Sequence, residues 1–429
     1  MRWVEGVISQ WLCFNVFVLF LQAAPVENLR YGSVPMRTVR SVLLLCGICL
    51  MVVFTARAQD VLTPVVAAPL VASTQAVVGT DGKQHLVYEL VITNTGTATA
   101  TLETIEVVGA DDSEKVLAKF QGDSLLSRLR DAGRGPKITA AQIEFSGTRL
   151  FLVDFTLEKG TRVPATLLHR FHLLAAGPPG SPKDRAVAQT YTIAPIAVGT
   201  DVTVLGPPLA GKGWTALNGC CEPGGAHRST GLPVNGQIHY AQRFAIDWIQ
   251  LGADLRIFHG DEKDVKSYAC YGAKVIAVAD GTVVETLSTL DDQVPGQLPD
   301  PKTITLENVD GNHVVLDLGH NKYAFYAHLQ KNSLLVKRGD HVKRGQVLGL
   351  LGNTGNSSGP HLHFHLMDGI SVLGSSGLPY VIDGFEVAGE LSSEQFKTSE
   401  VEGKWSKNFS AHPSGRKLEF PLDLTVVNF

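Results

Sequence analysis

The sequence predicts an all-β protein: an N-terminal β-sandwich, immunoglobulin-like in kind, followed by a compact antiparallel β domain. Three observations predict it. Short runs of alternating apolar and polar residues recur along the chain, β-branched residues dominate those runs, and many of the 43 glycines stand singly between them. That is the grammar of strands joined by tight turns. At 429 residues the chain exceeds one ordinary core, so two domains plus processing segments are expected. A hydrophobic share of 44% with 18% charged residues fits a globular chain, not a disordered one. The formal net charge of −4 provides no basic field for nucleic acid or anionic lipid.

The first segment reads as processing sequence. Residues 36–60, MRTVRSVLLLCGICLMVVFTARAQD, place Arg37 and Arg40 before an apolar run from Val42 to Phe54, and Ala56-Arg57-Ala58 is a small-x-small cleavage signal. The run is too short for a membrane span, so 36–58 is read as a signal peptide and the mature protein as lacking a stable span. A signal peptide begins a protein, which makes Met36 the expected start and residues 1–35 an extension upstream of it. The alternative is an anchor built from this run and the upstream apolar patch WLCFNVFVLFL, although Pro25 and charged residues divide them.

From 60 to 195 the runs KQHLVYELVITNT (83–95), ATLETIEVVG (100–109), QIEFSGTRLFLVDFTLE (142–158) and LLHRFHLL (167–174) read as the sandwich. No catalytic constellation is visible there, and His169 and His172 are read as sheet residues. A positioning or interaction role is the default for this half. From 205 to 390 the strands are sharper, with a long Pro/Asp loop at 288–302 as the rim of a groove. Residues 391–429 read as a C-terminal extension, its first part (392–410) as an exposed tail. Outside the leader the cysteines are Cys220, Cys221 and Cys270. An exported protein favours a disulfide, expected here between Cys270 and one of the adjacent pair.

The densest chemistry lies in GNTGNSSGPHLHFHLMDG (352–369). Alternate strand residues share a face and lie roughly 6.5–7 Å apart. Neighbouring imidazoles can therefore converge on one ion, while the first and third, roughly 13 Å apart, cannot. On geometry alone, His361 with His363 or His363 with His365 would serve equally well.

This stretch, preceded by HVKRGQVLGLLG, resembles the lysostaphin-type, LytM-like zinc metalloendopeptidases, which carry a Gly/Ser-rich loop before G-P-H-L-H. Tyr326-Ala327-His328-Leu329 matches the family's Y-x-H-L segment, and AVADGTVV (277–284) matches a further turn-strand. The resemblance covers about 205–370. It implies a compact β peptidase domain with one Zn²⁺ per chain, His363 as a ligand, and His361 and His328 as catalytic histidines beside the metal. His365 is then a residue outside the ligand shell or at the surface.

The remaining ligands are expected from the family's H-x-x-x-D segment. Asp247, in AQRFAIDW, fits, but position 243 is arginine, which stays protonated and cannot ligate zinc. His239 and His227 are the candidates to replace it. LPVNG (232–236) is a turn signal, and folding the chain back there sets residue 227 opposite 242–243, so His227 is preferred. Arg243 is then read as pairing with an acid or a substrate carboxylate. The resemblance implies an exported endopeptidase, periplasmic or extracellular, acting on peptide bonds of peptidoglycan cross-links or stem peptides. The alternative is a non-catalytic cell-envelope module that binds or regulates another wall hydrolase. Oligomeric state is not legible in the sequence.

Overall fold

The structure is a computed structural model describing residues 60–131, 138–177, 180, 182, 185–252, 254–399 and 409–429. The extension and signal peptide expected at 1–58 lie outside these residues. Strands dominate; the described α-helices are Asp123–Leu126 and Ser393–Ser399. Among the described residues no helix is long and apolar enough to cross a membrane.

The N-terminal part forms two sheets. One is five-stranded and centred on Lys83–Asn94 and Thr148–Glu158; the other is six-stranded and centred on Ala100–Gly109, Thr166–Ala176 and Ala186–Gly199. Alternation decides which residues face inward. Leu86, Tyr88, Leu90 and Ile92 from the first sheet and Ile105, Val107, Phe171 and Leu173 from the second share one apolar core. Each large apolar side chain withdrawn from water there is worth about 1.5–3 kcal/mol.

The C-terminal part is built on an eleven-stranded antiparallel sheet. Its central order is Asn312–Asp317, Tyr323–Leu329, Leu362–Met367, Ile246–Gln250, Trp214–Leu217 and Thr425–Asn428. Along the strand Leu362–Met367, Leu362, Phe364 and Leu366 enter the main core, which leaves His363 and His365 on the opposite face. The last strand, Thr425–Asn428, pairs with both Trp214–Leu217 and Phe385–Glu390, so the end of the chain is woven into the sheet. The tail reading of 392–410 does not extend to it.

The cysteine pairing departs from expectation. Cys220 and Cys221 are bonded to each other and Cys270 is a free, buried thiol. Its Sγ–H donates to the Pro360 carbonyl at 3.0 Å, and burial pushes the thiol up to about 12, so it is held as a neutral, hydrogen-bonded side chain.

Candidate metal centre

Two neighbouring strands create the site. Asp247 and His363 are direct cross-strand partners, so their side chains leave the same face together. His363 Nδ1 lies 2.9 Å from Asp247 Oδ1. On the other side of the His363 strand its partner is Ala327, small enough to leave room for the imidazole.

His227 reaches the same carboxylate from a different segment. The chain reverses in a hairpin, Leu232–Val234 against Gln237–His239, through Asn235 and Gly236, both at positive φ, the backbone of a type I′ turn. That reversal brings His227 Nε2 to 3.3 Å from Asp247 Oδ2 and its ring to 4.8 Å from that of His363, edge-on. Its Nδ1 donates to the Ala245 carbonyl at 3.1 Å. His227, Asp247 and His363 each offer a ligand atom within 4.8 Å of the other two. His239 is not in this group; it sits half-buried in the hairpin strand opposite Leu232.

The loop preceding the histidine strand orients two more imidazoles. His328 Nδ1 donates to the Thr354 carbonyl at 2.7 Å, and His361 Nδ1 to the Gly359 carbonyl at 2.8 Å. The loop needs glycine at one place above all. Gly355 and Gly311 lie back to back at positive φ, and a Cβ on Gly355 would meet Gly311 N at 2.2 Å. With both Nδ1 atoms committed, Nε2 is the nitrogen each ring has left for chemistry, and that of His361 lies 3.4 Å from Asp247 Oδ1. The two rings lie 4.5 Å apart, centre to centre. His328 itself has φ 62°, a conformation costly for a residue with a side chain and often found at working sites.

Electrostatics follow from burial and one carboxylate. Burial pushes all five imidazoles toward neutrality. At His227 and His361 the charge and hydrogen bond of Asp247 outweigh it and hold them above the ordinary histidine value. At His328, His363 and His365 burial, joined by repulsion from neighbouring imidazoles, leaves them below it. Burial also opposes the charge of Asp247, yet His227 and His361 hold that carboxyl well below the usual carboxylate range. Asn218 Nδ2 donates to its Oδ2 at 2.8 Å.

The donor set suits zinc. Two neutral histidine nitrogens and one carboxylate are a three-ligand set that leaves an open fourth position. Each histidine also has its second nitrogen engaged, His227 by Ala245 and His363 by His365 Nδ1 at 2.9 Å. That is how ligating histidines are kept in one tautomer and orientation. His365 is therefore buried against His363, and the surface reading of it does not hold.

A cavity of about 300 Å³ opens over this cluster, lined by His227, Asp247, His328, His361 and His363 together with Leu298 from the 288–302 loop. Asp310 also lines it, and burial raises its carboxyl. A second cavity of about 240 Å³ adjoins the first at Asn218 and His361, with Leu217, Ile249, Ile257 and Phe396 on its apolar side. A roomier cavity of about 760 Å³, lined by Lys159, Lys212, Arg416 and Lys417, contains no histidine or cysteine and has no part in this chemistry.

Arg243 points away from the cluster. Its Nε donates to both carboxylate oxygens of Glu89, at 2.9 and 3.1 Å, and its Nη1 to the Gly377 carbonyl at 2.6 Å. Position 243 therefore serves an ion pair, while an imidazole from residue 227 stands beside Asp247.

Residues 262–373 match Peptidase family M23. The chain carries a Peptidase family M23 domain. The matched span is narrower than the 205–370 suggested by the motifs. It includes His328, His361, His363 and His365 and begins after His227 and Asp247. The peptidoglycan DD-endopeptidase ShyA of Vibrio cholerae is 51% identical over 57 residues, 13% of this chain and 13% of that protein. The glycyl-glycine endopeptidase ALE-1 of Staphylococcus capitis is 35% identical over 113 residues, 26% of each chain. The chain thus spans a small part of the length of the curated relatives it matches. Among solved structures, the catalytic domain of lysostaphin from Staphylococcus simulans is 26% identical over 34% of this chain and 80% of that one, with a TM-score of 0.20.

Proposed function

We propose that the protein is an exported zinc metalloendopeptidase that hydrolyses peptide bonds in peptidoglycan cross-links or stem peptides, in the periplasm or outside the cell. The observation that carries this reading is the convergence of His227, Asp247 and His363, with His328 and His361 beside them on one cavity. The wall-hydrolase names of ShyA and ALE-1 support the substrate class.

In this reading His227 Nε2, Asp247 and His363 Nδ1 hold one zinc ion. Bound there, the ion would supply Lewis acidity. His361 accepts the proton of the attacking water at Nε2, because its Nδ1–H is already committed to Gly359. The proton that His361 takes at Nε2 is the one passed on to the leaving amine, and His328, neutral with its proton on Nδ1 toward Thr354, offers Nε2 as an acceptor that orients the attacking water. Asn218 steadies the Asp247 carboxylate from the side away from His363. The apolar side of the adjoining cavity, formed by Leu217, Ile249, Ile257 and Phe396, is suited to a small aliphatic side chain flanking the cleaved bond.

The N-terminal sheets are read as an immunoglobulin-like sandwich spanning 60–195, the peptidase domain as 205–390, and 391–429 as an extension that completes its sheet. The test is to purify residues 59–429, measure zinc per chain, and follow release of soluble fragments from purified peptidoglycan. One zinc and fragment release with new amino termini support the endopeptidase. A zinc-replete protein that releases nothing from peptidoglycan or its isolated peptides rejects the proposed substrate.

A further inference from the structure

The segment carrying His227 has no sheet of its own. Between Trp214–Leu217 and Leu232–Val234 the chain runs through turns, and the imidazole is hydrogen-bonded to the Ala245 carbonyl. The C-terminal part holds the segment through Thr230 on Gln242 and Gly219 on Asp423, and further anchors, next to His227 itself, come from the N-terminal sheets. Arg130 donates through Nη2 to the Pro223 carbonyl at 2.7 Å. Arg228, the residue after His227, is 1% exposed. Its Nη2 donates to the carbonyls of Tyr88 and Val153 at 2.9 and 3.2 Å, and its Nη1 to the Glu89 carboxylate.

That same carboxylate, 0% exposed, receives Arg243, four residues before Asp247. One buried acid therefore ties the neighbour of one ligand to the approach of another. A buried ion triad is a poor source of net stability, since apolar side chains of similar volume often do as well. What it fixes is geometry, through charge-assisted hydrogen bonds with strong directional demands.

We propose that Glu89 is a positioning residue for the metal centre, and that the N-terminal two-sheet unit, through Glu89, Arg228 and Arg243, holds His227 and Asp247 at ligating distance. The inference rests on reading His227 as a ligand. It makes the N-terminal sheets a structural component of the metal site, and it explains why an arginine at position 243 is compatible with a working one.

The test measures zinc affinity of the full mature chain by chelator competition, for wild type, Glu89→Gln, His227→Ala and the double variant. Glu89→Gln is expected to weaken zinc binding about tenfold or more, in the range of changes to groups that orient ligands. In the His227→Ala background its further effect is expected to be much smaller, because most of what it positions is gone. If Glu89→Gln fails to fold, Arg130→Gln removes the lighter anchor at a half-buried residue. It is expected to weaken zinc about threefold, in line with one lost hydrogen bond, with the unfolding midpoint of the metal-free protein unchanged. Wild-type affinity in the folded variants, or equal losses from Glu89→Gln with and without His227, overturns the proposal. Wild-type zinc affinity in His227→Ala itself rejects the ligand reading, and the proposal with it.

Discussion

Both halves of the molecule bury histidines in β-strands, and they treat them in opposite ways. His169 in the N-terminal sheets is 0% exposed and closed on both sides: the Tyr88 hydroxyl lies 2.8 Å from Nε2, and Nδ1 donates to the Ala194 carbonyl at 2.8 Å. Its partners are neutral and local, so it remains a neutral core group. His363 is 2% exposed and lies between a carboxylate and another imidazole, with two further imidazole rings packed edge-on to it. Burial alone does not separate a structural histidine from a working one. What separates them is whether the surrounding groups satisfy it or converge with it on an open cavity.

Breaking the working side has the largest expected effect. His361→Ala should lower kcat/KM on peptidoglycan peptides by roughly 10²–10⁴-fold, the usual range for a lost general base, while zinc content stays at one per chain. The same change at His172, half-exposed in the N-terminal sheets, should leave kcat/KM unaltered. An equal loss at both positions would erase the distinction.

The structural side is sharpened by pH. Burial pushes His169 down to about 4, against about 6.5 in an unfolded chain. The unfolded state therefore binds the extra proton first. Stability from this group is complete above pH 6.5 and is lost as pH falls toward 4, in total about 3 kcal/mol. Denaturant unfolding at pH 7.5 and 4.5 should show this acid loss in wild type and its absence in His169→Gln; parallel pH profiles for the two would refute it. The smallest effect is expected at His365. His365→Ala removes the partner of His363 Nε2 and should weaken zinc binding about 10–100-fold.

Much of the site was legible because its signals are local. The alternation in HLHFH sets the histidines on one face, the apolar-Asp-apolar run marks Asp247, and LPVNG gives the reversal that brings His227 round. Glu89 was not legible. In KQHLVYELV the positions of Leu86, Tyr88 and Leu90 face the core shared by the N-terminal sheets, so residue 89 reads as solvent-facing. It is buried because arginines from residues 228 and 243 cover the other face, which no local pattern records. The cysteine pairing was missed for a related reason, since spacing does not reveal that Cys270 settles against Pro360. The strand Thr425–Asn428 carries alternation too short to distinguish from a tail until its two neighbours in the sheet are known.

The central claim is that residue 227 supplies the ligand that position 243 does not. Zinc per chain should be measured on purified residues 59–429, for wild type, His227→Ala and His239→Ala. The account predicts one zinc in wild type and in His239→Ala, and none retained through dialysis against a weak chelator in His227→Ala. Zinc retained in His227→Ala and lost in His239→Ala would contradict it, as would a wild-type protein that binds no zinc.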